Sequence, residues 1–225
     1  MAGIGLTLAA AVVARTAVTT VTHLRAVRRQ ALRHAQAVRL VGRPEPALGA
    51  TLVDHAEPAA YCVAGPHPAV IVTTGALQAL SHDQVDVVLA HERAHLKYHH
   101  HRFLALARIG QQMLPFVPLM QDTATQIAQL VEMHADDAAT EGRDTRPLAT
   151  ALVVLATAAS PAPALAAAAT DAVQRIHRLL GPAEPLSRFR RQLLRAGAAA
   201  LALTPVLLAL TPAVVALARG RVPVA

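Results

Sequence analysis

The chain has 225 residues, of which 54% are hydrophobic, 2% aromatic and 16% charged. Its mean hydropathy of +0.38 is high for a water-soluble domain and indicates contact with lipid. A formal net charge of +7 suggests a nucleic-acid partner, but the sequence has no recognised nucleic-acid motif and too few aromatic residues for a stacking platform, so a membrane-flanking role is favoured and no nucleic acid is expected.

Two apolar stretches, one near each end of the chain, predict membrane helices. Residues 2–24 are interrupted by Arg15, which would have to lie towards one face or snorkel, and no positive residue precedes them as in a secretory signal peptide. Residues 196–218 carry no charge and would span roughly 30 Å of hydrocarbon at 1.5 Å per residue. We therefore predict transmembrane segments within residues 1–24 and 196–225.

Clusters of basic residues lie on the inner side of both apolar stretches. They are Arg25, Arg28, Arg29, Arg33 and Arg39 after the first, and Arg188, Arg190, Arg191 and Arg195 before the second. The positive-inside rule then places residues 25–195 in the cytoplasm, as the domain between two passes through the cell membrane. The lone cysteine, Cys62, excludes an internal disulfide and agrees with a reducing compartment.

A short hairpin and a capped helix are predicted at the start of this domain. Residues 59–63 and 69–73 have the composition of strands and are joined by the turn sequence AGPHP. Ser81 and Gln84 form a capping-box pattern, so the next helix should begin at His82.

The sequence HERAH inside this helix is an H-E-x-x-H motif formed by His91, Glu92 and His95. Residues four apart share a helix face, so two imidazoles can bind one ion. Glu92 can contact water at that ion, accept its proton as general base and pass the proton to a leaving amine. The motif predicts a catalytic zinc site, although cobalt or manganese would fit the same ligands.

The remaining histidines of this tract fit a metal site less well. His95 and His99 are four apart, but leucine replaces the base between them. His101 lies at the third-histidine position of a longer zinc motif, which needs a glycine where this chain has Tyr98. We therefore predict that residues 99–101 form a basic strip at the membrane surface.

A third ligand is predicted on a later helix. Residues 103–120 are apolar but broken by two prolines and suit a surface or packed helix, and further helices are expected at 122–140, 146–159 and 170–180. Glu132 would complete a His₂Glu zinc site, and Asp136, one turn later, could accept the free N–H of a ligand histidine. The alternative is an ordinary acidic helix face.

Taken together, these motifs resemble metallopeptidase family 56, the BlaR/MecR-type membrane zinc proteases, over residues 51–180. The resemblance rests on H-E-x-x-H, the proline-containing stretch after it and E-x-x-x-D. The HtpX and prenyl-protein protease group, family 48, shares these motifs and is the nearest competitor. The chain departs from family 56 in having room for one N-terminal membrane helix and no extracellular sensor.

The resemblance implies a mostly α-helical membrane protein with a gluzincin-like zinc protease domain of helices and a small sheet. It also implies that a substrate strand adds to an edge strand, here the one from Val70 to Thr73. Arg175 resembles a downstream arginine of the group and is a candidate oxyanion stabiliser, for which the neighbouring His177 and Arg178 could substitute.

Three functions follow from these observations. The first is a membrane-bound zinc endopeptidase acting on proteins at the cytoplasmic face, either by cleaving a repressor in signal transduction or as an HtpX-like quality-control protease. The second is a catalytically silent membrane scaffold that keeps zinc for stability. The third is a basic membrane-surface or nucleic-acid-binding protein with a fortuitous motif, and none of the three fixes the oligomeric state.

Overall fold

The computed structural model describes residues 41–113, 115–158, 163–182 and 187–219, with scattered helical positions between 14 and 33. Side chains are not described at residues 163–170 or at most positions of 201–219. The predicted N-terminal membrane segment at residues 2–24 lies largely outside the described residues. The chain divides into two compact units, Met1–Gly181 and Pro182–Ala225.

The first unit contains a four-stranded sheet whose spatial order is β1-β2-β4-β3. The strands are β1 (Gly42–Glu45), β2 (Ala50–Val53), β3 (Ala60–Val63) and β4 (Ala69–Thr73). The pairs β1–β2 and β3–β4 are antiparallel, and β2–β4 is parallel. The predicted hairpin is confirmed as β3 and β4, whereas β1 and β2 were not predicted.

The prediction that the strand from Val70 to Thr73 is an edge strand was wrong. Ile71 of β4 pairs with Thr51 of β2 on one side and with Tyr61 of β3 on the other. Both sides of β4 are therefore occupied, because the short strand β2 joins the hairpin from outside. Within the described residues, β1 and β3 are the outer strands.

Six helices follow the sheet in the first unit and make the domain mostly α-helical, as predicted. They are α1 (Thr74–Ala79), α2 (His82–Lys97), α3 (His100–Met113), α4 (Pro118–Thr140), α5 (Arg146–Ala158) and α6 (Pro163–Leu180). The stretch expected to form one broken helix at 103–120 is instead divided between α3 and the start of α4.

Helix α2 is fixed at its start by a capping box and along its length by burial. The Ser81 hydroxyl accepts a hydrogen bond from the Gln84 backbone N–H, and the Gln84 side chain accepts one from the Ser81 N–H at 2.8 Å. The helix begins at His82, as the sequence predicts. Val88 and Leu89 of its inner face belong to the main hydrophobic core, together with Leu148 of α5. Their packing fixes the position of the next turn of the helix.

Helices α2 and α3 are separated by a sharp turn at His99, whose φ of 55° lies in the left-handed region. The Tyr98 N–H still bonds to the Ala94 carbonyl, and the Arg102 N–H bonds to the His99 carbonyl, so one helix ends and the next begins at this residue. The turn buries His100, which is 3% exposed. The prediction of a surface strip at residues 99–101 was therefore wrong for His100, while His99 and His101 are exposed.

The second unit contains helix α7 (Arg188–Arg219), which includes the stretch predicted to span a membrane. Among the residues that the structure describes, no helix is long and apolar enough to cross a membrane. The flanking transmembrane helices of the predicted fold thus gain no support from the structure.

Candidate metal centre

Three side chains from two helices converge where α2 packs on α4. The Nε2 atoms of His91 and His95 lie 3.0 Å apart. Glu132 Oε2 is 3.4 Å from His91 Nε2, and Glu132 Oε1 is 3.6 Å from His95 Nε2. These residues are the one group of three or more potential ligands that the described part of the chain brings within 4.8 Å of one another.

The cluster fits a small metal ion. Two ligand atoms of a tetrahedral zinc site lie about 3.3 Å apart, since each bond is about 2.0–2.2 Å long, and the three observed separations match that value. Two imidazoles and one carboxylate are also a donor set typical of catalytic zinc, which leaves a fourth position open. The side chains are 8%, 13% and 30% exposed, so the site is shielded and still reachable.

Asp136 and Arg175 surround the cluster on the side of α6. Asp136 is 1% exposed, and its Oδ1 lies 3.0 Å from His91 Nδ1, although no hydrogen bond of good angular geometry reaches that buried nitrogen. The Arg175 guanidinium donates to both Asp136 oxygens, at 2.8 and 2.6 Å, and its Nη1 lies 3.0 Å from Glu132 Oε2. Arg175 therefore links the two carboxylates that face the histidines.

The electrostatics of the cluster keep its carboxyl groups ionised. Burial would raise the pKa values of Glu132 and Asp136, but hydrogen bonds and positive charge from His91 and Arg175 lower both. Burial alone would lower the pKa of His91, yet the Asp136 and Glu132 carboxylates raise it to about 9. For His95 burial dominates and lowers the pKa to about 4. Two ionised acids and a neutral His95 are the protonation states that a divalent cation requires, whereas His91 would have to lose its proton when the ion binds.

Glu92 lies on α2 next to the cluster and faces strand β3. Burial raises the pKa of its carboxyl, and the Cys62 thiol of β3 is its hydrogen-bonding neighbour. Burial and the Glu92 carboxylate together raise the pKa of Cys62 to about 12, so the thiol stays protonated. A raised pKa brings Glu92 nearer to the range in which a carboxylate is an effective general base.

The structure brings five of the predicted residues into contact: His91, His95, Glu132, Asp136 and Arg175. Arg175, however, donates to the carboxylates of Asp136 and Glu132, so its contacts hold these two side chains in position. Sequence reasoning missed two further residues, His100 and His134, whose rings extend the histidine cluster away from His95. A glycine after the helix would have signalled the chain reversal that buries His100, but His99 occupies that position.

Comparison with known proteins agrees with this chemistry. The family model for peptidase family M48 matches residues 23–176, more than half of the chain, and the chain belongs to that family. No curated protein matches it. The match corrects the resemblance to the BlaR/MecR-type family 56, because the shared motifs belong here to the competing family 48.

Proposed function

We propose that this member of peptidase family M48 is a zinc-dependent endopeptidase that hydrolyses peptide bonds of protein substrates. The observation that carries the proposal is the convergence of His91, His95 and Glu132 at mutual distances of 3.0–3.6 Å, with Glu92 next to His91 on the same helix. His91, His95 and Glu132 would hold the ion, and Glu92 would act on water.

A zinc ion held by His91, His95 and Glu132 would supply a Lewis acid, which polarises a carbonyl and makes water a better nucleophile at neutral pH. Glu92 accepts the proton of the attacking water as the new carbon–oxygen bond forms. It then delivers that proton to the amide nitrogen, which leaves as an amine when the carbon–nitrogen bond breaks. The burial that raises the pKa of Glu92 makes its carboxylate a stronger base for the first step.

Asp136 and Arg175 hold the ligands in this scheme. Asp136 lies against Nδ1 of His91 and favours the tautomer whose Nε2 lone pair would be free to bind the ion. Arg175 fixes Asp136 and Glu132 with one guanidinium. Because the Arg175 guanidinium is bonded to these carboxylates, Arg175 would position the ligands and would not stabilise the oxyanion.

The substrate backbone would bind along β3 and not along β4. Strand β3 is an outer strand that packs against α2, and its Cys62 neighbours Glu92. A peptide added to this edge would pass the general base, whereas β4 has no free edge to offer. Backbone pairing of this kind would make side-chain specificity broad.

The setting of the reaction is also proposed. Membership of family M48 favours an HtpX-like quality-control protease over repressor cleavage, which depended on the resemblance to family 56. The arginine clusters at residues 25–39 and 188–195 support a domain at the cytoplasmic face of a lipid bilayer. Cell fractionation followed by carbonate extraction tests the location, and recovery only in the soluble fraction would contradict it.

The experiment that tests the activity compares Glu92→Gln with the wild type. We expect about one zinc per chain in both proteins and, in the variant, a 10²–10⁴-fold slower cleavage of a fluorogenic unfolded protein, because only the general base is lost. Asp86→Asn, on the exposed side of the same helix, is the matched control and should cleave at the wild-type rate.

Other outcomes select among the alternatives. Stoichiometric zinc without cleavage by the wild type would favour the silent scaffold. Cleavage unchanged in Glu92→Gln would exclude Glu92 as the base. Zinc absent from the wild type, even after reconstitution, would contradict the metal site, and zinc unchanged in Glu132→Ala would place the third ligand elsewhere.

A further inference from the structure

Three histidines form a continuous line that leads away from the candidate metal centre. His95 Nδ1 lies 3.0 Å from His100 Nδ1, and His100 Nε2 lies 3.0 Å from His134 Nδ1. The ring planes cross steeply, at 87° and 73°. The line joins α2, the start of α3 and α4.

Metal binding would determine which nitrogen of each ring carries hydrogen. His95 Nε2 faces His91 and Glu132, so it must offer a lone pair to an ion there, and the hydrogen of the neutral ring then resides on Nδ1. His95 Nδ1–H donates to His100 Nδ1, and the hydrogen of His100 resides on Nε2. His100 Nε2–H in turn donates to His134 Nδ1. A single set of tautomers therefore satisfies both contacts without any charged ring.

Burial gives these contacts their importance. His100 is 3% exposed, and both of its ring nitrogens are used in the line, so removing one partner would leave a buried polar atom unsatisfied. His134 is exposed, but the Tyr98 ring contacts it edge-on at 4.5 Å between centroids and restricts its orientation. The line thus runs from the metal centre to a tethered surface residue.

The two histidines of the H-E-x-x-H motif differ in what holds their outer nitrogens. His91 Nδ1 faces the Asp136 carboxylate, whereas His95 Nδ1 faces a neutral imidazole. Ligand histidines generally need such a partner, and its loss typically lowers metal affinity 10–100-fold. His100 is the residue that supplies it for His95.

We propose that His100 is a positioning residue for the metal centre, which accepts the Nδ1–H of His95 and so presents His95 Nε2 to the ion, and that His134 orients His100. This inference rests on the proposed zinc site. It extends the site across the turn at His99, because only the reversal of the chain there brings His100 back to His95.

The test measures zinc affinity, by competition with a chromophoric chelator, and the visible spectrum of the cobalt(II) form. His100→Leu removes the acceptor, and we expect zinc to bind 10–100-fold more weakly with an altered cobalt spectrum. His100→Asn places a carbonyl oxygen near the position of Nδ1, and it should restore most of the affinity and the wild-type spectrum. The exposed His101→Leu is the matched control and should equal the wild type.

Several results would overturn the inference. Equal zinc affinity in His100→Leu and the wild type would do so, as would equal weakening in His100→Leu and His100→Asn, since the acceptor would then be irrelevant. If His100→Leu does not fold, His134→Phe is the deciding variant. It removes the acceptor of the His100 Nε2–H, so zinc should bind more weakly and the cobalt spectrum should change. Wild-type values for both would overturn the proposal. A wild type that binds no zinc would instead contradict the proposed function itself.

Discussion

Two ion pairs join α4 to α6 side by side, and each consists of two hydrogen bonds of similar length. Asp136 accepts two hydrogen bonds from Arg175 at 2.8 and 2.6 Å, and Asp137 accepts two from Arg178 at 2.6 and 2.7 Å. The side chains of the first pair are 1% and 11% exposed, and those of the second are 56% and 41% exposed. Adjacent residues on one helix thus make the same bond in two environments.

The two pairs differ in burial and in their other contacts, so similar hydrogen bonds can have different roles. Asp136 also faces His91, and Arg175 also contacts Glu132, so the buried pair is part of the candidate metal centre. The exposed pair has water around it, which screens its charges and competes for its hydrogen bonds. Burial and further contacts, and not the two short hydrogen bonds, should therefore decide how much each pair contributes to the free energy of unfolding and to metal binding.

The largest expected effect comes from breaking the buried pair. Arg175→Leu leaves Asp136 and Glu132 buried without their guanidinium, and we expect the free energy of unfolding to fall by about 3–5 kcal/mol in zinc-free protein. Denaturant unfolding followed by circular dichroism measures it. Arg178→Leu is the matched control, and an equal loss in both variants would contradict the comparison.

The second effect concerns metal affinity. Asp136→Asn keeps the shape of the side chain but weakens its hold on His91 Nδ1, so zinc should bind 10–100-fold more weakly. Asp137→Asn should bind zinc as the wild type does, because Arg178 is its partner. Chelator competition on the two variants compares neighbouring positions directly, and equal affinities would remove Asp136 from the site.

The third effect is in the response to acid. Burial would raise the pKa of Asp136, but the hydrogen bonds from Arg175 and the nearby His91 lower it below its ordinary value of 3.8. Such a carboxyl stabilises the fold above its unfolded pKa, and that stability is lost as the pH falls through the folded pKa. Zinc-free Arg175→Leu should therefore unfold at a higher pH than the wild type, measured by circular dichroism, with Arg178→Leu close to the wild type.

The smallest effect belongs to the exposed pair. Arg178→Leu should cost about 0–1 kcal/mol at low ionic strength, because both side chains remain largely solvated. Unfolding measured in 1 M NaCl, where the Debye length is about 3 Å, should abolish even this cost. The loss in Arg175→Leu should persist in salt, and a salt-sensitive loss there would show that its environment is wet.

Local signals in the sequence predicted much of the site. Ser81 and Gln84 fixed the start of α2, so the phase of His91, Glu92 and His95 on that helix followed from its period of 3.6 residues. The same period placed Glu132 and Asp136 on one face of α4. These inferences succeeded because each depends on residues within one helix.

Features that depend on pairing between distant segments were predicted less well. Strand β2 is only four residues long, and its parallel pairing with β4 has no local signature, so β4 was mistaken for an edge. The turn at His99 adopts a positive φ without the glycine that usually marks such a position, so the burial of His100 could not be predicted from the tract. The contacts of Arg175 required the packing of α6 on α4.

The Cys62 thiol lies in the seam between β3 and α2, and its reactivity would report how often these two elements separate. It is the single cysteine of the 225 residues, and its pKa of about 12 leaves almost no thiolate to react at neutral pH while the seam is closed. Labelling by a thiol reagent would then proceed mainly through moments when β3 separates from Glu92. The rate of labelling would therefore report how often β3 separates from α2, with no engineered cysteine.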